Sequence, residues 1–382
     1  MEARILTILE KFRTSPVGRV GPADFRARDE GLADPEIVLR DPNLTLYCLD
    51  MENRQAIFTE TPPECDLRHA PFLYMAQYEH ARRLVCIPYE ALHRLAADVV
   101  MDSSRLILIY SVGRCGSTLV SRAYGQVTGV ESLSEPDVLT QMLFAWRTGG
   151  LGGPEEAALL RSCTLLQCAP GRARGASAWA LKFRSEVTQM APLLHTLFPK
   201  ARLVFLYRHP EPWARSFLRL MNVGDPAAPV PFGDGPRPYF GSVDARFDGQ
   251  PAASTLELLA SMWVTPMQTC LEMQARGITV FVARYEELSA APQEVLGAML
   301  AHCGLPTVAA GDLDAILERD SQAGSPLSRD STGKAPVGLS PAHMDELRRL
   351  IRDYSPGLTA DTLLPSTYLP GGNPSLLQPA AK

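Results

Sequence analysis

The chain has 382 residues, 46% hydrophobic and 21% charged, enough for one sizeable core with a smaller unit or for one elaborated domain. A formal charge of −5 argues against a general nucleic-acid binder. No segment approaches the roughly 18 consecutive apolar residues of a membrane helix, and Met1–Thr14 is broken by Glu2, Arg4, Glu10 and Lys11, so neither membrane insertion nor a signal peptide is expected. The eight cysteines include no C-x-x-C pair, which speaks against a zinc site or a disulfide framework and for a reducing cytoplasm.

Residues 1–100 read as a small α+β accessory region. Leu44–Leu49 and Gln55–Thr59 have the composition of two strands around the turn Asp50-Met-Glu-Asn53, and 70–83 has that of a helix. Structural support is the plainer role for this region, with acceptor binding and a homodimer contact left open.

The main domain is expected over 101–360. Leu106–Tyr110 is a short apolar run of the kind found in a buried parallel strand. It leads through Gly113-Arg114-Cys115-Gly116 into a helix that carries Ser117 and Thr118 and places Leu119, Val120, Ala123, Tyr124 and Val127 at helical spacing. The glycines let the backbone turn and approach an anion, and a helix start presents unpaired N–H groups and a positive dipole end to a phosphate group. No lysine follows Gly116, so the ATP-binding form G-x-x-x-x-G-K-[ST] is not met.

Further strands are expected at 178–183, 203–207 and 279–284, with helical stretches between them. Val187, Met190, Ala191, Leu194, Leu197 and Phe198 form one helical apolar stripe. Val295, Leu296, Met299, Leu300 and Cys303 form another, between Pro292 and Gly304. The strand Leu203–Tyr207 ends in Arg208-His-Pro-Glu-Pro-Trp-Ala-Arg-Ser216, where a guanidinium at a strand end and a hydroxyl on the next helix suit a second anion. His195 and His209 have no partners at metal-ligand spacing and read as structural. The Pro/Gly-rich stretch 222–251 is a substrate-covering loop or an insertion, 321–341 is similar in character, and 361–382 reads as a flexible tail. Alternation of this kind gives an α/β fold with a mostly parallel central sheet and helices on both faces.

The two motifs together resemble those of the sulfotransferases that use 3′-phosphoadenosine 5′-phosphosulfate (PAPS), closest in style to bacterial and tyrosylprotein-type members. The family's loop reads roughly P-[KR]-S-G-[ST]-T-x-L, from which this chain departs at Gly113 and Cys115. Its second motif, R-[DN]-P-x-x-x-x-x-S, has the same separation as Arg208 and Ser216. The resemblance implies a P-loop NTPase-like three-layer fold. It also implies a 5′-phosphosulfate held by Gly113, Arg114, Cys115, Gly116, Ser117 and Thr118, and a 3′-phosphate held by Arg208 and Ser216. The product would be 3′,5′-adenosine bisphosphate (PAP), and no metal is required. Arg284-Tyr-Glu-Glu-Leu288 resembles the family's R-Y-E-D-L segment, so Tyr285 packs either against adenine or in the core. Asp320–Ser325 and Lys334 fall where relatives close a loop over the 3′-phosphate.

For the chemistry, the resemblance points to Glu135, in Ser132-Leu-Ser-Glu-Pro-Asp137, as general base, with Asp137 its rival. Lys182 falls where the family places a lysine beside the transferring group. Arg184 stands where cytosolic members carry a catalytic histidine, which favours the glutamate route and leaves Arg184 for ligand binding or the surface. The expected reaction is sulfuryl transfer to a hydroxyl, less readily an amine, of a small-molecule, carbohydrate or peptide acceptor. The alternatives are a P-loop small-molecule kinase using ATP and a non-catalytic nucleotide-binding scaffold.

Overall fold

The computed structural model describes residues 2–13, 15–221, 225–231, 244–328 and 338–371. The chain forms two compact units, one of residues 1–108, 124–183 and 193–201, the other of residues 109–123, 184–192 and 202–382.

In the first unit, β1 (Ala3–Lys11), β2 (Phe25–Ala33), β3 (Leu44–Asp50), β4 (Gln55–Glu60) and β5 (Arg83–Pro88) form an antiparallel sheet in the order β2-β1-β5-β4-β3. Sequence composition singles out only β3 and β4, whose apolar residues are almost all buried. β2 is mostly exposed and charged, and β1 carries only one fully buried residue, so neither has the alternation that marks a strand. The expected helix over 70–83 is shorter, α2 (Leu73–His80), because Arg83 already belongs to β5.

β3 lies at the sheet edge, and its backbone is satisfied by side-chain amides instead of a sixth strand. Gln141 accepts from the Leu49 N–H and donates to the Leu49 carbonyl, each at 2.7 Å, and Gln77 and Gln167 both donate to the Leu46 carbonyl at 3.0 Å. Gln141 lies on α5 (Val138–Arg147) and Gln167 on α6 (Gly153–Ala173), both packed on β3. The same unit holds β7 (Val130–Ser134) and β8 (Ala178–Lys182), paired in parallel with Ser134 opposite Lys182. β7 was not expected from the sequence.

β6 (Leu106–Ser111) is fully buried and runs from the first unit into the second. There β9 (Arg202–Tyr207) and β12 (Val280–Arg284) pair in parallel, and the chain leaving β6 bonds to β9 through the Val112 N–H and the Leu206 carbonyl at 3.1 Å. The mixed α/β class and parallel strand pairing expected from the sequence are thus observed. The stripe from Val187 to Phe198 is not one helix. A 3₁₀ turn over Ser185–Met190 precedes the α-helix Ala191–Leu197, since Pro192 has no N–H to continue a helix from the preceding turn and fits only near a helix start. The short β10 (Pro229–Pro231) and β11 (Ala252–Ser254) pair antiparallel, and Ser254 with Glu257 makes a capping box for the long helix Thr255–Ala275. Parts of the expected covering loop (222–224 and 232–243), Lys334, and the tail from 372 onward lie outside the described residues. Among the described residues, no helix is long and apolar enough to cross a membrane. The eight cysteines, all among the described residues, form no disulfide, and seven of them are buried.

Candidate active site

The second unit contains the loop between β6 and the helix α4 (Ser117–Gly125). Gly113 (φ 73°), Arg114 (φ 50°) and Gly116 (φ 82°) all adopt the left-handed conformation, which costs any residue with a Cβ. The two glycines are also needed for space. A Cβ on Gly113 would lie 3.2 Å from the Phe217 ring, and one on Gly116 would lie 3.1 Å from Leu288 and 3.2 Å from the Tyr285 ring. Trp213 clamps the turn, its indole N–H donating to the carbonyls of Val112 and Gly113 at 3.1 and 3.0 Å. Cys115 is fully buried and its thiol reaches the Leu206 carbonyl, so this departure from the family pattern faces the core. Ser117 and Thr118 occupy the first turn of α4, where backbone N–H groups have no acceptor within the helix.

Arg114 pays for its left-handed backbone with specific side-chain contacts. Its Nε donates to Ser216 Oγ at 3.1 Å and its Nη1 to Gln322 Oε1 at 2.7 Å. The guanidinium of this loop residue thus contacts the serine of the second motif. Ser216 is on α8 (Pro210–Met221), where it is buried along with Trp213, one turn earlier, and Phe217. Arg208 follows the last residue of β9. Its Nη1 donates to the Arg114 carbonyl at 3.2 Å, its guanidinium lies 4.4 Å from the centre of the Tyr285 ring, and its Nε is buried without a hydrogen-bond partner among the described residues. Tyr285 thus supports Arg208 and closes against Gly116. Burial, with the charges of Arg219 and Arg208, holds the Arg114 guanidinium below its ordinary pKa, against the opposing pull of Asp320. Such a concentration of cations favours an anionic ligand. Gln322 lies in the segment singled out over Asp320–Ser325, but Trp213, Phe217 and Leu288 carry only ordinary apolar signals in the sequence. His209 is structural, its Nδ1 accepting from the Glu211 N–H in the first turn of α8.

The first unit brings the two expected chemical residues together. Glu135 follows β7 directly and, unusually for a residue with a Cβ, takes φ 61°. Its N–H donates to the Lys182 carbonyl at 2.6 Å, and its carboxylate pairs with the Lys182 ammonium. The Lys182 side chain is buried, at 4% exposure, and that of Glu135 is partly so, at 12%. Asp137, the rival carboxylate, is buried and accepts from the Val20 N–H at 3.0 Å, a contact that anchors the chain. Arg184 belongs to the second unit, at the start of the 3₁₀ turn over Ser185–Met190.

The family model described as "Sulfotransferase family" matches residues 107–309, more than half of the chain. No curated protein matches. Among solved structures, a sulfotransferase from Mycobacterium tuberculosis is 14% identical, covers 69% of this chain and 82% of its own, and gives a TM-score of 0.38. One from Mycobacterium avium is 12% identical, covers 74% and 82%, and gives 0.37. Scores of that size carry no part of the assignment, which rests on the family match and its agreement with the two motifs: the chain belongs to the sulfotransferase family.

Proposed function

We propose that the protein transfers a sulfuryl group from PAPS to a hydroxyl acceptor, with Glu135 as general base. The observation that supports this reading most is the cation cluster of the second unit. Arg114, Arg208 and Ser216 converge, Arg208 Nε is buried without a partner among the described residues, and burial and like charge act on Arg114 together. Those groups fit the 3′-phosphate of a nucleotide, and the start of α4 with Ser117 and Thr118 fits its 5′-phosphosulfate. The loop offers no lysine after Gly116, as a kinase acting on ATP would need.

When bound, PAPS supplies the sulfuryl group and leaves as PAP with the electron pair of the broken sulfur–oxygen bond. Glu135 takes the proton of the attacking hydroxyl. Lys182, in contact with Glu135, offers positive charge to oxygens on which negative charge grows. The backbone N–H groups of the loop and the Arg208 guanidinium fix the donor, so that attack becomes effectively intramolecular.

The test is transfer from radiolabelled PAPS to a panel of phenols, sugars, peptides and amines. Glu135→Gln should retain PAP affinity and lose turnover by about 100-fold or more, the usual scale for a general base. Turnover at the normal rate would remove Glu135 from the mechanism.

A further inference from the structure

We propose that Phe72, outside the family-matched segment, is a positioning residue for the Lys182–Glu135 pair, which makes the N-terminal sheet region part of the catalytic apparatus. The proposal rests on the role given to Glu135 above. Three contacts carry it, all within the first unit. The Phe72 ring centre lies 5.7 Å from Lys182 Nζ. Ser134 Oγ donates to the Pro71 carbonyl at 2.7 Å, and the Val20 N–H donates to Asp137 Oδ2 at 3.0 Å. The N-terminal region therefore grips the chain on both sides of Glu135 and touches its partner lysine.

The chemistry explains why an aromatic ring serves here. Glu135 sits in a left-handed conformation that is unfavourable for a residue with a Cβ and persists only where its surroundings hold it. Lysine is a point charge on a flexible stem, so its geometry beside Glu135 must be imposed from outside. A ring face attracts the ammonium without accepting one of its strong hydrogen bonds, which leaves the lysine's donors for Glu135 and for a developing anion. Phe72 is itself fixed. It is 3% exposed, it precedes α2, and its ring lies 6.3 Å from that of Tyr74.

The experiment measures conversion of PAPS to PAP across the same acceptor panel, for the full chain and for Phe72→Leu, Phe72→Tyr, Ser134→Ala and Glu135→Gln, with PAP affinity by calorimetry. Phe72→Leu keeps an apolar side chain and removes the ring face. It should lower kcat about 3- to 30-fold with the KM for acceptor and the PAP affinity unchanged. Phe72→Tyr should restore kcat. Ser134→Ala, which leaves the ring in place, should lower kcat in the same way with KM unchanged, and it decides the matter if Phe72→Leu does not fold. Full kcat in Phe72→Leu, equal loss in the leucine and tyrosine variants, or a loss carried by KM instead of kcat would each overturn the proposal. If Glu135→Gln is inactive while Phe72→Leu is fully active, only the role of Phe72 falls. If Glu135→Gln turns over normally, the base assignment falls and the role of Phe72 with it.

Discussion

Gly116 and Arg208 carry the narrowest demands in the proposed donor site, one for space and one for charge. Gly116→Ala places a Cβ within 3.1 Å of Leu288 and 3.2 Å of the Tyr285 ring, at a φ of 82°. We predict a loss of about 1–2 kcal/mol in chemical denaturation, the cost of left-handed backbone alone, together with weaker PAP binding. Arg208→Ala should weaken PAP by about 10- to 100-fold in calorimetry, since hydrogen bonds to charged groups contribute roughly 1.5–3 kcal/mol. Arg208→Lys should recover only part of this, because an ammonium cannot fork onto two phosphate oxygens. The identity of these residues is legible in the sequence, where loop and strand-end motifs keep fixed local spacings. The direction of Arg114 is not, because it is set by Ser216 and Gln322, 102 and 208 residues away along the chain.

Among the elements, α6 shows how packing overrides propensity. Gly171 sits within this helix, where alanine would be favoured by about 1 kcal/mol. A Cβ there would lie 2.7 Å from Glu131 Cγ on β7 and 2.9 Å from Trp179 Nε1 on β8. Gly171→Ala should therefore destabilise the protein in urea unfolding, by about 1–3 kcal/mol of overpacking against that gain. Full stability would mean that Glu131 and Trp179 have room to move. The four strands expected from Leu106 onward are all present, because a strand buried on both faces is a continuous apolar run. β1, β2 and β7 were missed for the complementary reason. Each is short of buried apolar side chains, and its place is decided by partners far away in sequence. Glu135 was legible as a candidate but its pairing with Lys182 was not, because that depends on the β7–β8 register.

Over the whole molecule, each compact unit gathers three separated stretches of chain, so local composition carries no mark of their limits. One buried carboxylate in each unit shifts in the opposite sense to the other. In the first, burial raises the pKa of Asp24 above its ordinary 3.8, despite the Tyr47 hydroxyl and the Gly21 N–H that favour its charge. The stability tied to its protonated form is fully present below pH 3.8 and lost as pH rises through the raised value. Asp24→Asn should accordingly be at least as stable as the parent at pH 7, with its advantage vanishing as pH falls to about 4. In the second unit burial also opposes the charge of Asp244, yet Ser261, the Arg246 N–H and guanidinium, and Thr265 outweigh it and lower the pKa. That stability is present above pH 3.8 and lost as pH falls through the lowered value. Asp244→Asn should cost about 1.5–3 kcal/mol at pH 7 and progressively less in acid. Thermal unfolding from pH 3 to 8 checks both, and parallel pH profiles for the two variants would refute the assignment.

The central claim is that the cation cluster and the start of α4 hold the two ends of one adenylyl sulfate donor. Calorimetric titration of the full chain with PAP and, separately, with Mg·ATP tests it most directly. The account predicts saturable one-to-one binding of PAP, weakened about 10- to 100-fold in Arg208→Ala, with ATP at least about 10-fold weaker than PAP, a difference of roughly 1.4 kcal/mol. Tighter binding of Mg·ATP than of PAP, or PAP binding indifferent to Arg208, would contradict it.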